Sequence, residues 1–431
     1  MIHNFTRYAL SALLFAQFLL CSMLIVYPAS CGAQSLEIHQ LDVGQGDAAL
    51  VIVRQPAGRE LHSRPTAFTL LIDSGPKGKG RNVIVPYLRK LRIDAINAVV
   101  LTHYHNDHIG GVNEVLNSEV VLKCYDRGGS YDSKTFDSYV SISGLKRATL
   151  NAGDTLLAVS FPKSSAQCSI ICVASGGNIL NYGYTGTSDE NTKSIAILLT
   201  YIVNADTFKF LTAGDLTASQ ESLLAIHDPF IHDLALLKIS HHGSQTSTSP
   251  DVLQSFGSKA VFISCGDNNT YGHPHAETLM KLDDQKSIEH VYQTEQGDNI
   301  GEKSIVSGNI VIKVYPNGRY TIKTDRGLDS YHFGRKSSGH LLPTPHENTL
   351  DSGELGWKTQ YHDSAISLSI RPPVYVQSIS VPNILGTTLR RFNPMEYIGS
   401  VSINDNFNLG AYFVLVKTSR RIFVNKVLIS E

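Results

Sequence analysis

The sequence predicts an α/β fold, and three observations predict it. Strand-like patterns crowd the start of the chain, strands and helices alternate beyond them, and a buried strand delivers the chain to a histidine-rich loop. The first strand, Leu36 to Val43, alternates apolar and polar residues as a half-buried strand does. A turn at Gly44-Gln45-Gly46 leads to a second strand, Ala48 to Val53, and Arg54 to Thr66 reads as a polar hairpin extension. Phe68 to Asp73 forms a third strand ending in Ser74-Gly75. Asn82 to Leu91 reads as a helix, with Val83, Ile84, Tyr87, Leu88 and Leu91 at helical spacing. Ile96 to Leu101 is a buried strand that runs into His103, and Gly110 to Leu116 begins the next helix.

The alternation continues. Strands are expected at Val120–Leu122, Asn151–Val159, Ser169–Ala174, Leu234–Ile239, Ala260–Ser264, Asn309–Val314 and Arg319–Lys323. A hairpin pairs Ser194–Val203 with Thr207–Leu211, and helices are expected at Ser219–Ile226, Pro250–Phe256 and Ala276–Leu282. After about Asp325 the texture changes. Residues 326–348 read as a Gly/Ser/Pro/His-rich linker, and 349–431 as a small β-rich domain with strands at Ala365–Ile370, Val374–Ile379 and Leu409–Val416. The main domain is therefore placed at 36–325, and no internal repeat is evident.

Residues 1–33 read as a secretory signal. Arg7 precedes a charge-free run from Ala9 to Val26, and small residues around Ala33 follow. That run is long, so retention as a membrane anchor is the alternative; a lipidated Cys31 is disfavoured because Pro28-Ala29-Ser30 fits a lipobox poorly. An exported, periplasmic or extracellular chain with no span after signal removal is the expectation. Lys plus Arg number 37 against 38 Asp plus Glu, which removes any general electrostatic reason to bind nucleic acid or anionic lipid. A hydrophobic content of 42% excludes wholesale disorder. Of six cysteines, Cys124, Cys168, Cys172 and Cys265 lie beyond the signal. Cys168 and Cys172 share one strand-like run, too far apart for a bond within a strand, and read as core residues.

The chemistry concentrates at His103-Tyr104-His105-Asn106-Asp107-His108. Imidazole nitrogens and carboxylate oxygens are ligands for zinc and similar divalent ions. His103 and His105 alternate in an extended segment and can share one ion, while Asp107 and His108, after a bend, can face a second. Gly110-Gly111 lets the backbone approach closely. A surface loop with accidental histidines is the bland reading, and the density of ligand-type residues argues against it.

This motif resembles the signature of the metallo-β-lactamase superfamily. The chain more narrowly resembles the metallo-β-lactamase domain of the ComEC competence proteins. The resemblance rests on Leu41 to Ala48, Leu71 to Gly75, His103 to Gly111, Thr212-Ala213-Gly214-Asp215, Leu237 to Ser244 and Asn269 to Pro274. It covers roughly residues 36 to 325 and implies an αββα sandwich. It implies metal ligands at His103, His105, Asp107, His108, Asp215 and His273, with Asp215 bridging and His275 a spare for His273. One of His241 and His242 would reach metal or substrate, the choice being open, and Asp107 or Asp215 would orient the attacking water. Asp73 would fix the tautomer of a ligand imidazole from behind. Asp42 and Asp47 would brace the ligand loop, unless Asp47 merely caps a turn. Many superfamily members carry a further His before the Gly-Asp strand. This chain instead has Asn191 and Ser194, which match the ComEC type.

The implied activity is hydrolysis by water activated on one or two ions, Zn2+ or Mn2+. A phosphodiester substrate, nucleic acid or phosphorylated surface polymer, is the leading expectation. Ester, lactone or amide (including β-lactam) hydrolysis is the enzymatic alternative. A surface-binding protein with a vestigial site, its β appendage holding a cell-surface partner, is the reading of another class.

Overall fold

The computed structural model describes residues 35–54, 67–161, 166–203, 206–228 and 230–333, and the strands of a separate sheet between 356 and 429. The expected signal segment, most of the hairpin extension (55–66), the hairpin tip 204–205 and 334–348 of the expected linker lie outside the described residues. No described helix is long and apolar enough to cross a membrane.

The main domain is two mixed sheets faced by helices. The first runs Leu328–His332, Arg319–Lys323, Ile310–Val314, Ser35–Gln40, Ala49–Arg54, Ala67–Ile72, Ile96–Val100, Val121–Asp126 and Arg147–Thr149. Its pairing is antiparallel as far as Ala67–Ile72 and parallel from there. The second sheet repeats the pattern: Gly183–Tyr184, Asn178–Ile179, Ala166–Ser175, Ala196–Val203 and Asp206–Thr212 are antiparallel. Leu236–Lys238, Ala260–Ile263, His290–Gln293 and Ser304–Val306 follow in parallel.

Period-two alternation explains the layering. Leu36, Ile38, Val51, Leu70 and Val100 face Ile170, Ile197, Leu199, Phe210 and Phe262 between the sheets. Their strand neighbours Leu50, Ile52, Leu71 and Val99 face outward onto Ile84, Leu88, Val112, Val115 and Tyr139. Leu198, Leu211, Leu237 and Val261 likewise meet Leu224, Val252, Phe256 and Leu279 on the far side. The order is helix, sheet, sheet, helix, as the resemblance implies.

The strands where pairing switches carry the site. Ala67–Ile72 ends at Asp73 and Asp206–Thr212 leads to Asp215; both are antiparallel to one neighbour and parallel to the other. Open α/β sheets bind ligands at the carboxyl ends of strands beside such switches.

Several expectations need correction. The linker cannot begin at residue 326, because Leu328–His332 pairs with Arg319–Lys323 as an edge strand of the first sheet. Its polar alternation hides it: Asp329 accepts from Tyr292 Oη at 2.7 Å, and Tyr331 is the buried member. The strand expected at Asn151 starts at Thr155, since Asn151 and Asp154 close a turn. The helix Lys134–Ser143, capped by Ser133, and the strands His290–Gln293 and Ser304–Val306 were not anticipated. Cys124, Cys168, Cys172 and Cys265 are buried and free, as core packing requires.

The C-terminal sheet is antiparallel and six-stranded. The two strands expected at Ala365–Ile370 and Val374–Ile379 are one, Ala365–Pro382, whose register with Glu396–Asn404 shifts between Ser369 and Val374. Pro372 and Pro373 fall in that shift, where missing N–H groups interrupt a ladder at least cost.

Glycines set the spacing beneath the histidine motif. A β-carbon on Gly111 would lie 2.3 Å from the Ser74 carbonyl oxygen, and one on Gly80 would lie 2.2 Å from that of Gly111. Glu114 holds the intervening loop through the N–H groups of Gly78 and Arg81, at 2.9 and 2.8 Å. Gly111→Ala should therefore destabilise the fold by about 1–3 kcal/mol through backbone overpacking, measured by chemical denaturation.

Candidate metal centre

His103 leaves the strand Ile96–Val100 in an extended segment, and a helical turn at Asn106–Ile109 then reverses the chain. The bend separates His103 and His105 from Asp107 and His108. His103 Nε2 stands 3.0 Å from His105 Nδ1 and 3.7 Å from Asp215 Oδ2. His108 Nε2 stands 3.2 Å from His242 Nε2, 3.3 Å from Asp215 Oδ1 and 3.9 Å from Asp107 Oδ2. His242 Nε2 lies 3.2 Å from Asp107 Oδ2 and 3.7 Å from Asp215 Oδ1. Ligands about 2.1 Å from a shared ion would sit about 3.4 Å apart in a tetrahedron, close to these separations. The two oxygens of Asp215 thus face two adjoining clusters. His103, His108, Asp215 and His242 are all buried.

The groups behind the imidazoles aim them. Asp73 Oδ2 accepts from His108 Nδ1 at 2.8 Å and from Thr102 Oγ1 at 2.7 Å, and its Oδ1 accepts from Thr102 N at 2.8 Å. The Ser264 carbonyl accepts from His242 Nδ1 at 2.8 Å. Both Nδ1 atoms carry protons in these bonds, so Nε2 is left to present a lone pair to the cluster. Asp215 is set by its own N–H, which donates to Ser194 Oγ at 3.1 Å.

The electrostatics ask for a cation. Burial opposes charge on His108, yet Asp215, Asp73 and Asp107 outweigh it and hold its pKa well above the usual histidine range. His242 is raised in the same way, burial losing to Asp215, Asp47 and Asp107. Asp215 stays well below the carboxylate range despite burial because His108, His242 and His103 surround it. Burial and the neighbouring His108 push His103 well down. Asp215 Oδ1 is buried with no hydrogen-bond partner. An orphaned anionic oxygen beside imidazole lone pairs fits a divalent ion.

His241 and His242 are placed differently. His242 is buried and falls in the second cluster. His241 falls in neither cluster; its side chain is 21% exposed and its Nε2 stands 3.8 Å from Asp215 Oδ2. Both residues adopt left-handed backbone, with φ of 53°. Such residues cost about 1–3 kcal/mol each and persist where the surroundings enforce them. Here the His241 N–H donates to the Gly214 carbonyl and Ser240 Oγ donates to the buried Glu221 at 2.7 Å.

Three expected roles change. His273 does not join the second cluster. It stacks over His242 at 6.0 Å between ring centroids, while Gln45 Nε2 contacts its Nδ1 at 3.3 Å. Burial and the neighbouring imidazoles of His242 and His241 drop its pKa to about 3. His275 is no substitute, since its Nδ1 accepts from Gln245 N at 3.2 Å. Asp42 accepts from Gly44 N and caps its own turn. Asn191 Oδ1 is buried without a partner and touches no ligand; Ser194 makes the contact to Asp215 instead. Asp47 does brace the loop, its N–H donating to the Asp107 carbonyl at 3.0 Å and its carbonyl accepting from Gly75 N.

Sequence reasoning missed three supports. Glu190 accepts the Tyr104 N–H at 3.0 Å and is gripped by Arg127 at 2.7 and 2.6 Å, whose guanidinium lies over the Tyr104 ring. Tyr131 and His105 meet edge to face, with ring centroids 6.2 Å apart. Lys238 places its ammonium 2.6 Å from Asp47. Tyr104, alternating between two ligands, was the available signal for an anchor on the opposite side of the motif.

Two outcomes are expected. Asp73→Ala should weaken metal uptake by about 10- to 100-fold, read by competition with a chromophoric chelator. Burial raises Glu221 to about 7, against the opposing pull of Ser240, Thr248 and Lys238. Its stabilising contribution is full below the ordinary value of 4.5 and is lost as pH rises through about 7, a change of roughly 3 kcal/mol. The Tm of Glu221→Gln relative to the unsubstituted chain should therefore climb across that window.

Residues 64–164 match the family model of the metallo-beta-lactamase superfamily. ComE operon protein 3 of Bacillus subtilis is 27% identical over 285 residues, 64% of this chain and 34% of that protein. Recombination protein 2 of Haemophilus influenzae is 25% identical over 285 residues, covering 63% and 29%. The chain thus spans about a third of the length of the curated relatives it matches. A solved diphosphatase of the PhnP family overlaps 65% of this chain and 99% of its own, at 12% identity and a TM-score of 0.31. The family match falls across the ligand motif, on a sandwich whose switch-point strands deliver Asp73 and Asp215, and residues 64–164 are accordingly similar to a metallo-β-lactamase domain.

Proposed function

We propose that the chain is an exported, metal-dependent phosphodiesterase. The observation that carries the reading is the Asp215 carboxylate turned between two clusters, one oxygen to each. Paired ions at such a spacing suit in-line displacement at phosphorus, where attacking and leaving oxygens both need stabilising. His103, His105 and Asp215 would hold one ion; Asp107, His108, Asp215 and His242 would hold the other. The imidazole and carboxylate donors suit Zn2+ and accept Mn2+. When bound, the metal supplies an acidified water and polarises a phosphoryl oxygen.

The chain's own groups supply the rest. Asp107 is held ionised: burial opposes its charge, but His108 and His242 keep its pKa below the carboxylate range. Its partly exposed carboxylate can accept a proton from the attacking water and orient it. Burial lowers His241, so near neutral pH it is an uncharged imidazole. It serves as an N–H donor to charge developing on a phosphoryl oxygen rather than as an acid. Export rests on the charge-free run Ala9 to Val26 and the small residues after it.

The test is hydrolysis of bis-p-nitrophenyl phosphate with zinc or manganese. Turnover should require metal and vanish in the Asp107→Ala, His108→Ala double variant. Metal bound without turnover would defeat the phosphodiesterase reading and favour esters, lactones or amides. His241→Ala should lower kcat by about 100-fold with KM little changed, as loss of a donor used only in the transition state does.

A further inference from the structure

Lys238 ends the strand Leu236–Lys238 beneath the second cluster, and its side chain is 2% exposed. Its ammonium lies 2.6 Å from Asp47 Oδ2, with one further contact to the Ile239 carbonyl at 3.4 Å. Asp47 in turn lies within ligand distance of the metal centre: its carboxylate and ligand atoms of His108, Asp215 and His242 all fall within 4.8 Å of one another. It approaches His108 from the wrong side, however. Asp47 Oδ2 is 3.8 Å from Nδ1, the nitrogen already bonded to Asp73, whereas Asp107 Oδ2 approaches Nε2.

We propose that Lys238 is a built-in cation that keeps Asp47 out of metal coordination and sets how tightly the second ion is held. The proposal rests on the reading of the double cluster as a metal centre. Three buried carboxylates, Asp47, Asp73 and Asp215, crowd one space beside the partly exposed Asp107. All four in play would trap a divalent ion behind an over-anionic ligand set. Lys238 neutralises one and ties it in place. A buried Lys–Asp pair adds little net stability compared with an apolar pair, so stability alone does not account for it. Lys238 acts through Asp47 and is a positioning residue.

The experiment is zinc titration of the metal-free full chain against a chromophoric chelator, with the second ion identified by its loss in His242→Ala. Lys238→Met removes a positive charge and frees a carboxylate, and both changes favour the cation. The second ion should bind at least tenfold more tightly, while the metal-free protein melts lower and gains more Tm on adding zinc. Lys238→Arg should keep the unsubstituted affinity. General structural damage would weaken binding, the opposite direction. If Lys238→Met does not fold, Asp47→Asn with Lys238→Met decides: the neutral pair should bind zinc as the unsubstituted chain does. Unchanged or weaker binding in Lys238→Met, or a tenfold loss in the double variant, would overturn the proposal, the latter by making Asp47 a ligand. Failure of the unsubstituted chain to bind zinc would defeat the metal reading and this proposal together.

Discussion

The centre depends on one buried carboxylate. Asp215 stands with its oxygens divided between His103 on one side and His108 and His242 on the other. A buried anion is expensive unless its charge is met, and here the meeting groups are themselves imidazoles with lone pairs to give. The carboxylates around His108 and His242 pull both imidazoles above the usual histidine range, the direction in which a site suited to a cation pulls them.

The fold makes that carboxylate possible at a junction of two sheets. Each sheet changes from antiparallel to parallel pairing at the strand that delivers an aspartate, Asp73 from one and Asp215 from the other. Parallel neighbours then bring the ends of Ile96–Val100 and Leu236–Lys238 to the same rim, carrying His103 and the His241-His242 pair. Close backbone approach at Gly80, Gly110 and Gly111 seats the ligand loop, and the left-handed pair His241-His242 turns one imidazole inward and leaves the other facing out. Strain there is offset by the hydrogen bonds around Ser240, Gly214 and Glu221.

Much of this was legible in the residues, and the remainder was hidden for physical reasons. Period-two and helical patterns located most strands and helices of the main domain, because each buries one face. The edge strand Leu328–His332 escaped because an edge needs little apolar surface, and Ser304–Val306 because it is short. In the site, the spacing within His103 to His108 led to the expectation of two ligand pairs; the structure gathers His103 and His105 with Asp215, and His108 with Asp47, Asp215 and His242, and sets Asp73 behind His108 Nδ1. His242 could not be told from His241 by position, since a left-handed turn, not strand alternation, sets their directions. His273, expected as a ligand, stacks on His242 and falls outside both clusters. Lys238 was overlooked because a lysine at the end of an apolar strand reads as a solvated terminus, and only three-dimensional structure reveals its burial against Asp47.

The most direct measurement is anomalous diffraction at the zinc edge from crystals of the zinc-loaded chain. The account predicts two peaks sharing Asp215, one against His103 and His105 and the other against Asp107, His108 and His242. A peak coordinated by His273, or ions that leave Asp215 uncoordinated, would contradict it.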